Sequence, residues 1–260
     1  MPSTADYLND LVVQKKALAN SLKQKGVAAS ESETLNTLIP KLDELSEQAK
    51  RDFADILQNF GERNVYTSMF LRLPNIEIIR YFNYDLNCRM CESMFGFCAT
   101  DTTLYPDGLD LTEFLKECGI SLVWGNTGIL KSSSMFASSR ITRVPPLFLS
   151  SINTTAYVFE NCSMLKTIDG LKFDGQANST SFFKNCTALE NITFNGKWQA
   201  YITLSDSPLL TRASMLSLFS AMADYSLSSS GKSATLGSVN LAKLSDADKA
   251  IATQKNWTLT

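Results

Sequence analysis

Apolar residues open the chain at helical spacing. Tyr7, Leu8, Leu11, Val12, Leu18 and Leu22 recur at three- and four-residue steps, which predicts a short amphipathic helix over residues 5–25 stopped by Gly26. After a turn at 27–30, a second series runs through Leu35, Leu38, Leu42, Leu45, Ala49, Phe53, Ile56 and Phe60 at steps of 3, 4, 3, 4, 4, 3 and 4. This is one narrow apolar seam with the spacing of a coiled coil and a small discontinuity. A seam that narrow packs a globular helix poorly, whereas association of two or three copies, a trimer being favoured, buries it along its length. Leu35, Leu38, Leu42, Leu45, Phe53 and Ile56 are therefore the candidate oligomerisation residues. The alternative is an intrachain hairpin in which this helix folds back on the first, as the Gly26 turn permits. Pro40 predicts a kink over residues 36–40, because it removes a helix hydrogen bond and crowds the preceding turn.

From Phe70 onward the pattern changes. Phe70, Phe95, Leu115, Phe136, Phe159 and Phe183 form one column with spacings of 25, 20, 21, 23 and 24 residues, the period of leucine-rich repeats. Three positions later stand Leu73, Cys98, Cys118, Ser139, Cys162 and Cys186, small or apolar residues suited to a crowded corner. Apolar pairs three apart follow: Ile76 and Ile79, Ile120 and Val123, Ile141 and Val144, Leu165 and Ile168, Leu189 and Ile192. The unit at Phe95 departs, with Asp101 and Leu104. Each unit exposes an apolar edge that only the next can cover, so equivalent columns are expected to stack. The β-branched stretches at 166–168 and 191–194 are the expected strands. Beyond Trp198 the pattern gives way to Ser207-Pro208, an apolar helix over 209–225, a Ser/Gly tract, and a last helix opened by Ser245 with Asp248 as a capping-box-like pair.

The phrases Ser93-Met94-Phe95, Ser134-Met135-Phe136, Phe159-Glu160-Asn161-Cys162-Ser163-Met164-Leu165 and Phe183-Lys184-Asn185-Cys186-Thr187-Ala188-Leu189 resemble the BspA-like class of bacterial leucine-rich repeats over residues 68–198. The ending, with Thr235-Leu236-Gly237, Lys243-Leu244-Ser245-Asp246 and Ile251 to Thr260, resembles repeat proteins of bacteriophages and prophages of Gram-positive gut bacteria. The opening, Leu11 to Lys25 with Gly26-Val27 and Glu33 to Lys41, is similar to the N-terminal segment of phage tail and virion-surface proteins. The resemblance implies a structural or host-contacting virion component, assembled in the bacterial host cytoplasm.

Composition narrows the function classes. The 260 residues carry a formal net charge of -2, and no histidine. The near-neutral balance argues against nucleic acid as a partner, which calls for a basic patch. Lack of histidine removes the commonest general base, the Ser-His-Asp and Cys-His pairs and histidine-ligated metals. No apolar run reaches the roughly 18 residues of a bilayer span, and Asp6 and Asp10 stand where an export signal is basic, so membrane insertion is not expected. Cys88, Cys91, Cys98 and Cys118 offer four thiolates to a zinc ion. Cys98 and Cys118, however, share a repeat column with Cys162 and Cys186, where buried thiols act as small apolar groups. Gly231-Lys232-Ser233 lacks the glycine that a phosphate-binding loop needs five residues earlier, where Ser226 stands. Asp101, Asp107 and Asp110 lack calcium-loop spacing. Six Asn-x-Ser/Thr sequences, at Asn153, Asn161, Asn178, Asn185, Asn191 and Asn256, read as corner and loop residues. No cofactor is expected. Tyr105, Trp124, Tyr157 and Tyr201 lie outside the columns and are the candidate partner-binding residues, suited to carbohydrate or protein.

The expectation is thus an α+β chain: an N-terminal helical coiled-coil stalk for oligomerisation and virion attachment at 1–61, a leucine-rich-repeat solenoid at 62–198, and a helical C-terminal cap at 199–260. The expected function is non-enzymatic: a tail-fibre or baseplate-type component that contacts other virion proteins through its N-terminal region. Its repeats would bind a host-surface protein or polysaccharide. A head fibre or decoration protein, and a bacterial surface adhesin, are the alternatives.

Overall fold

The computed structural model describes residues 4–24, 27–38, 41, 70–72, 76–81, 86–88, 91–124, 129–154, 157–174 and 181–260. Its framework is a spine of phenylalanines. The rings of Phe70, Phe95, Phe136, Phe159 and Phe183 lie in one file with centroids 5.2, 5.4, 5.2 and 5.6 Å apart, the last three pairs parallel within 4°. Each is fully buried. Parallel rings at that separation are offset stacks, which bring dispersion without opposing the faces of the two π systems.

Around each ring the backbone makes the same tight turn. Phe70 and Arg72 N–H groups donate to Met94 and Gly96 O, Phe95 and Phe97 to Met135 and Ala137 O, Phe136 and Ser138 to Val158 and Glu160 O, and Phe159 and Asn161 to Phe182 and Lys184 O. Every unit thus hangs on the next by two backbone hydrogen bonds. The carbonyl of the phenylalanine itself takes no part in this ladder. Within their own units Phe136 O and Phe159 O accept the Ser139 and Cys162 N–H groups, each at 3.1 Å, and the thiol of the following unit adds a second donor: Cys162 Sγ reaches Phe136 O and Cys186 Sγ reaches Phe159 O, each at 3.0 Å. The cysteine column therefore combines small size with a proton for the second lone pair of a buried carbonyl.

The strands that leave these turns are parallel throughout. β1 (Leu86–Cys88) pairs with β3 (Leu122–Trp124). The main sheet runs β2 (Leu109–Asp110), β5 (Ile141–Val144), β7 (Thr167–Asp174), β6 (Leu147–Thr154), β4 (Ile129–Lys131), with β8 (Asn191–Asn195) also on β7. β7 is one strand facing two: its first half pairs Thr167 and Ile168 with Arg143 and Val144 of β5, its second pairs Leu171 to Asp174 with Leu147 to Ser150 of β6. Pro145-Pro146 separates β5 from β6, where neither residue has an N–H for the ladder. On the next layer the register to β8 slips between Ile168 and Leu171. The break is inherited from layer to layer and curls the sheet into a half-barrel.

This architecture corrects the leucine-rich-repeat solenoid. A leucine-rich unit contributes a strand and then a helix or 3-10 segment on its back. Here β6 and β7 are eight residues long and bent, and the backs of the units are tight turns. Leu115 is not in the spine: Phe95 stacks directly on Phe136, and the intervening chain is spent on α3 (Leu111–Glu117), which buries Leu111, Phe114 and Leu115 and is capped by Asp110. Cys118 accordingly sits at the C-terminus of that helix, half-buried, outside the cysteine column.

The coiled-coil stalk is also corrected. α1 (Thr4–Gln24) buries Leu18, Ala19 and Leu22 within the chain, and the bond from Val27 N–H to Leu22 O turns the backbone towards α2 (Leu35–Leu38). Leu38 is fully buried in the same core cluster as Leu18, Leu22, Val27 and Ala29, so it has no surface left for a second copy. Over the described residues Leu18, Leu22 and Leu38 thus pack within one chain. Leu35 lies on α2, while Leu42, Leu45, Phe53 and Ile56, like Pro40, fall outside the described residues.

The C-terminal region is mixed rather than purely helical: α4 (Arg212–Ala221), α5 (Ser238–Leu241) and α6 (Asp246–Thr253) accompany a parallel sheet of β9 (Ile202–Thr203), β10 (Lys232–Thr235) and β11 (Trp257–Leu259). The capping box of Ser245 and Asp248 is present. Asp248 also receives Arg212 Nε and an Arg212 terminal nitrogen at 2.9 and 2.6 Å, tying the starts of α4 and α6 together. Lys255 Nζ donates to the carbonyls of Phe219, Ser220 and Met222 at the end of α4, where cations complement the helix dipole.

α4 also closes the sheet. Along the outer edge of β8, Ile192 N–H donates to Ser214 Oγ at 3.0 Å and Phe194 N–H to Ser217 Oγ at 3.1 Å. The Ser214 hydroxyl reaches Glu190 O at 3.2 Å, and the Ser217 proton is shared between Ser214 O at 2.8 Å and Ile192 O at 3.2 Å. At the turn, Asn185 N–H finds Asp206 Oδ2 at 3.2 Å where a further unit would offer a carbonyl.

Two consequences are measurable. Phe159→Ala removes a ring that stacks on both sides and should cost about 3–5 kcal/mol, read as a fall in the denaturation midpoint; an unchanged midpoint contradicts the spine. Ser214→Ala leaves the buried Ile192 N–H without an acceptor and should cost about 1–3 kcal/mol, with faster amide exchange at Ile192 than elsewhere in β8.

Candidate functional site

Left-handed backbone recurs two residues before the phenylalanine in three spine turns and two residues after it in all five. The first column holds Ser93, Ser134 and Tyr157 at φ 53°, 54° and 61°; the second holds Arg72, Phe97, Ser138, Asn161 and Asn185 at φ 58°, 53°, 56°, 61° and 59°. The ladder fixes this conformation, since the N–H and C=O groups of the turn must meet the next unit. Glycine and asparagine adopt it most readily, so two asparagines in the second column follow from geometry.

The second column forms an outward ridge. At one end the Arg72 guanidinium lies over the Phe97 ring at 5.6 Å, with Phe97 46% exposed. At the other, Asn185 Nδ2 donates to Asn161 Oδ1 at 2.7 Å, and Lys184 Nζ meets Glu160 Oε1 at 2.8 Å between the same two units. The asparagines thus bond to each other across units, not to local backbone. The sequence signal was the recurrence of Asn two positions after Phe159 and Phe183.

The four aromatic candidates divide. Tyr105 is only 6% exposed and its hydroxyl lies between Ile76 N–H and the Glu77 carboxylate, so it belongs to the core. Burial, and next the charge of Glu77, push its phenol well above the ordinary range. Trp124 ends β3. Tyr157 is 43% exposed on the first column and Tyr201 47% exposed in the C-terminal region. Lys232 Nζ lies 4.8 Å from the Tyr201 ring centroid and 5.9 Å from that of Tyr225, beside a shallow depression lined by Asp224 to Ser228. The structure does not bring the four together.

The remaining motifs resolve into structure. Gly231 is required because a Cβ there would lie 2.3 Å from Asn256 O, and Lys232 and Ser233 begin β10. Asp101 Oδ1 accepts the Thr103 and Leu104 N–H groups in a turn, and Asp110 caps α3. Among the described residues no three Cys, Asp or Glu side chains converge as metal ligands, and Cys91, Cys98, Cys118, Cys162 and Cys186 form no disulfide. No described helix is long and apolar enough to cross a membrane. Comparison with family models, curated proteins and solved structures finds no match for this chain.

Burial pushes the Cys162 thiol up to about 12 from an ordinary 9.0, and moves Cys98 and Cys186 in the same direction. The folded state therefore holds these protons more tightly than the unfolded chain does. Their contribution to stability is complete below the unfolded thiol value and is lost as pH rises through the window from 9.0 to about 12. The urea midpoint should be lower at about pH 10.5 than at about pH 8, and Cys162→Ser should flatten that dependence; equal slopes in both proteins would contradict the assignment.

Proposed function

We propose that this chain is a non-enzymatic virion-surface component of a bacteriophage, of the tail-fibre or baseplate host-recognition kind, which holds a cell-surface partner on its repeat region. The observation that carries this reading is the outward ridge: a buried spine repeats one turn at 5.2–5.6 Å intervals and presents side chains of equivalent geometry in file. Repeated surfaces of that kind suit extended partners, because weak contacts at successive units add. The likeness of the Met-Phe and Phe-x-Asn-Cys phrases to BspA-like repeats, and of both chain ends to phage proteins, supports the same reading. In it the N-terminal region attaches the chain to other virion proteins, and several copies act together.

Antibody labelling of purified virions should place the chain at the tail, and its removal should reduce adsorption to the host bacterium. Labelling on the head with adsorption unchanged would overturn host recognition in favour of a decoration role.

A further inference from the structure

The exposed corner of the Phe159 unit places a bulky side chain on a backbone that the ladder holds left-handed. Tyr157 stands at φ 61°, a region that bulky side chains rarely occupy. Serine fills the same position before Phe95 and Phe136, as Ser93 and Ser134. Tyr157 nonetheless remains 43% exposed, and among the described residues its hydroxyl makes no hydrogen bond and its ring meets no other ring. A side chain that is conformationally costly, solvent-facing and without a side-chain partner among the described residues points to an external contact.

Its surroundings define the chemistry of that contact. With Asn185 Nδ2 bonded to Asn161 Oδ1, the ladder keeps one amide donor at Asn161 and one amide acceptor at Asn185 without partners among the described residues. Glu160 and Lys184 pair at 2.8 Å, and the Glu160 N–H donates to Tyr157 O at 3.1 Å, which ties the pair to the same corner. The corner therefore offers a flat aromatic face, a donor and an acceptor, and the Asp206 carboxylate that accepts the Asn185 N–H at 3.2 Å leaves its charge slightly negative. An anionic polymer finds no excess of positive charge there.

Resting on the host-recognition reading above, we propose that Tyr157, Asn161 and Asn185 form the contact site for a neutral glycan of the cell surface. The apolar face of one sugar ring stacks on Tyr157, as aromatic platforms allow. Hydroxyl groups of that sugar and the next accept from Asn161 Nδ2 and donate to Asn185 Oδ1. The unit spacing of 5.2–5.6 Å is close to the length of one sugar residue in an extended chain. Successive sugars therefore fall over successive corners. Glu160 and Lys184 flank the site and hold the two units in register.

The test uses the full-length protein, Tyr157→Ser and Val239→Ser. Serine already occupies the equivalent corners, so Tyr157→Ser should melt at or above the parent temperature. Binding is read on host cells, on periodate-oxidised cells, on protease-shaved cells, and on immobilised dextran, mannan and galactan beside anionic polygalacturonate. The parent should bind cells and shaved cells, lose binding after periodate, and prefer a neutral polysaccharide. Tyr157→Ser should weaken binding about tenfold or more, and Val239→Ser, at an exposed residue of α5, should leave it unchanged. Equal cell binding by parent and Tyr157→Ser overturns this site while host recognition stands. Binding that survives periodate but not protease, or that prefers polygalacturonate, overturns the neutral glycan. A parent protein that binds no cells overturns the functional reading itself.

Discussion

In-register stacking of one short turn upon the next is the interaction on which the rest of this structure depends. A phenylalanine ring in offset contact with the ring above and below fixes the rise between units, and two backbone N–H groups per turn then find carbonyls at that rise. Neither part suffices alone. Stacked rings without the ladder would leave buried peptide groups unpaired, and a ladder without the rings would enclose a void. The left-handed residues that follow each ring, and the thiols that meet the carbonyls of Phe136 and Phe159, follow from satisfying both demands at once.

A parallel ladder has open ends, and an open edge is a template for another chain. On the last layer the protein uses side chains where a further unit would use backbone. Hydroxyls of Ser214 and Ser217, one helical turn apart on α4, meet peptide groups two residues apart on β8, and the Asp206 carboxylate serves the turn. Arg212 and Lys255 then fasten the two ends of α4 to the C-terminal region. The C-terminal region is thus a hydrogen-bonded terminator of the sheet as well as an apolar cover.

The division between spine and corner has a consequence for binding. Spine positions must match from unit to unit, because a change in one ring displaces its neighbours. Corner side chains project from a backbone whose conformation the ladder already sets, so their identity is free to follow a partner. This explains why serine, tyrosine, arginine, phenylalanine and asparagine share equivalent backbone angles, and why the surface of the repeat rather than its interior holds the candidate site.

Much of the interior was legible in the sequence. The phenylalanine period, the apolar pairs of its later units, the strand near Asn191 and the Ser245 cap each depend on contacts within a unit or with an identical neighbour, which a periodic pattern records. Leu115 misled because an apolar residue at the right interval fits a short helix as well as a stacked turn, and only tertiary packing distinguishes them. Leu38 misled for a related reason: a narrow apolar stripe says that it must be covered but not by what, and α1 with the segment from Val27 to Ala29 covers it within the chain. The curl of the sheet, the cross-unit asparagine pair and the serine-lined edge were decided by tertiary structure alone. Each joins residues about 20 or more positions apart through hydrogen bonds, whose partners leave no hydrophobic period in the sequence.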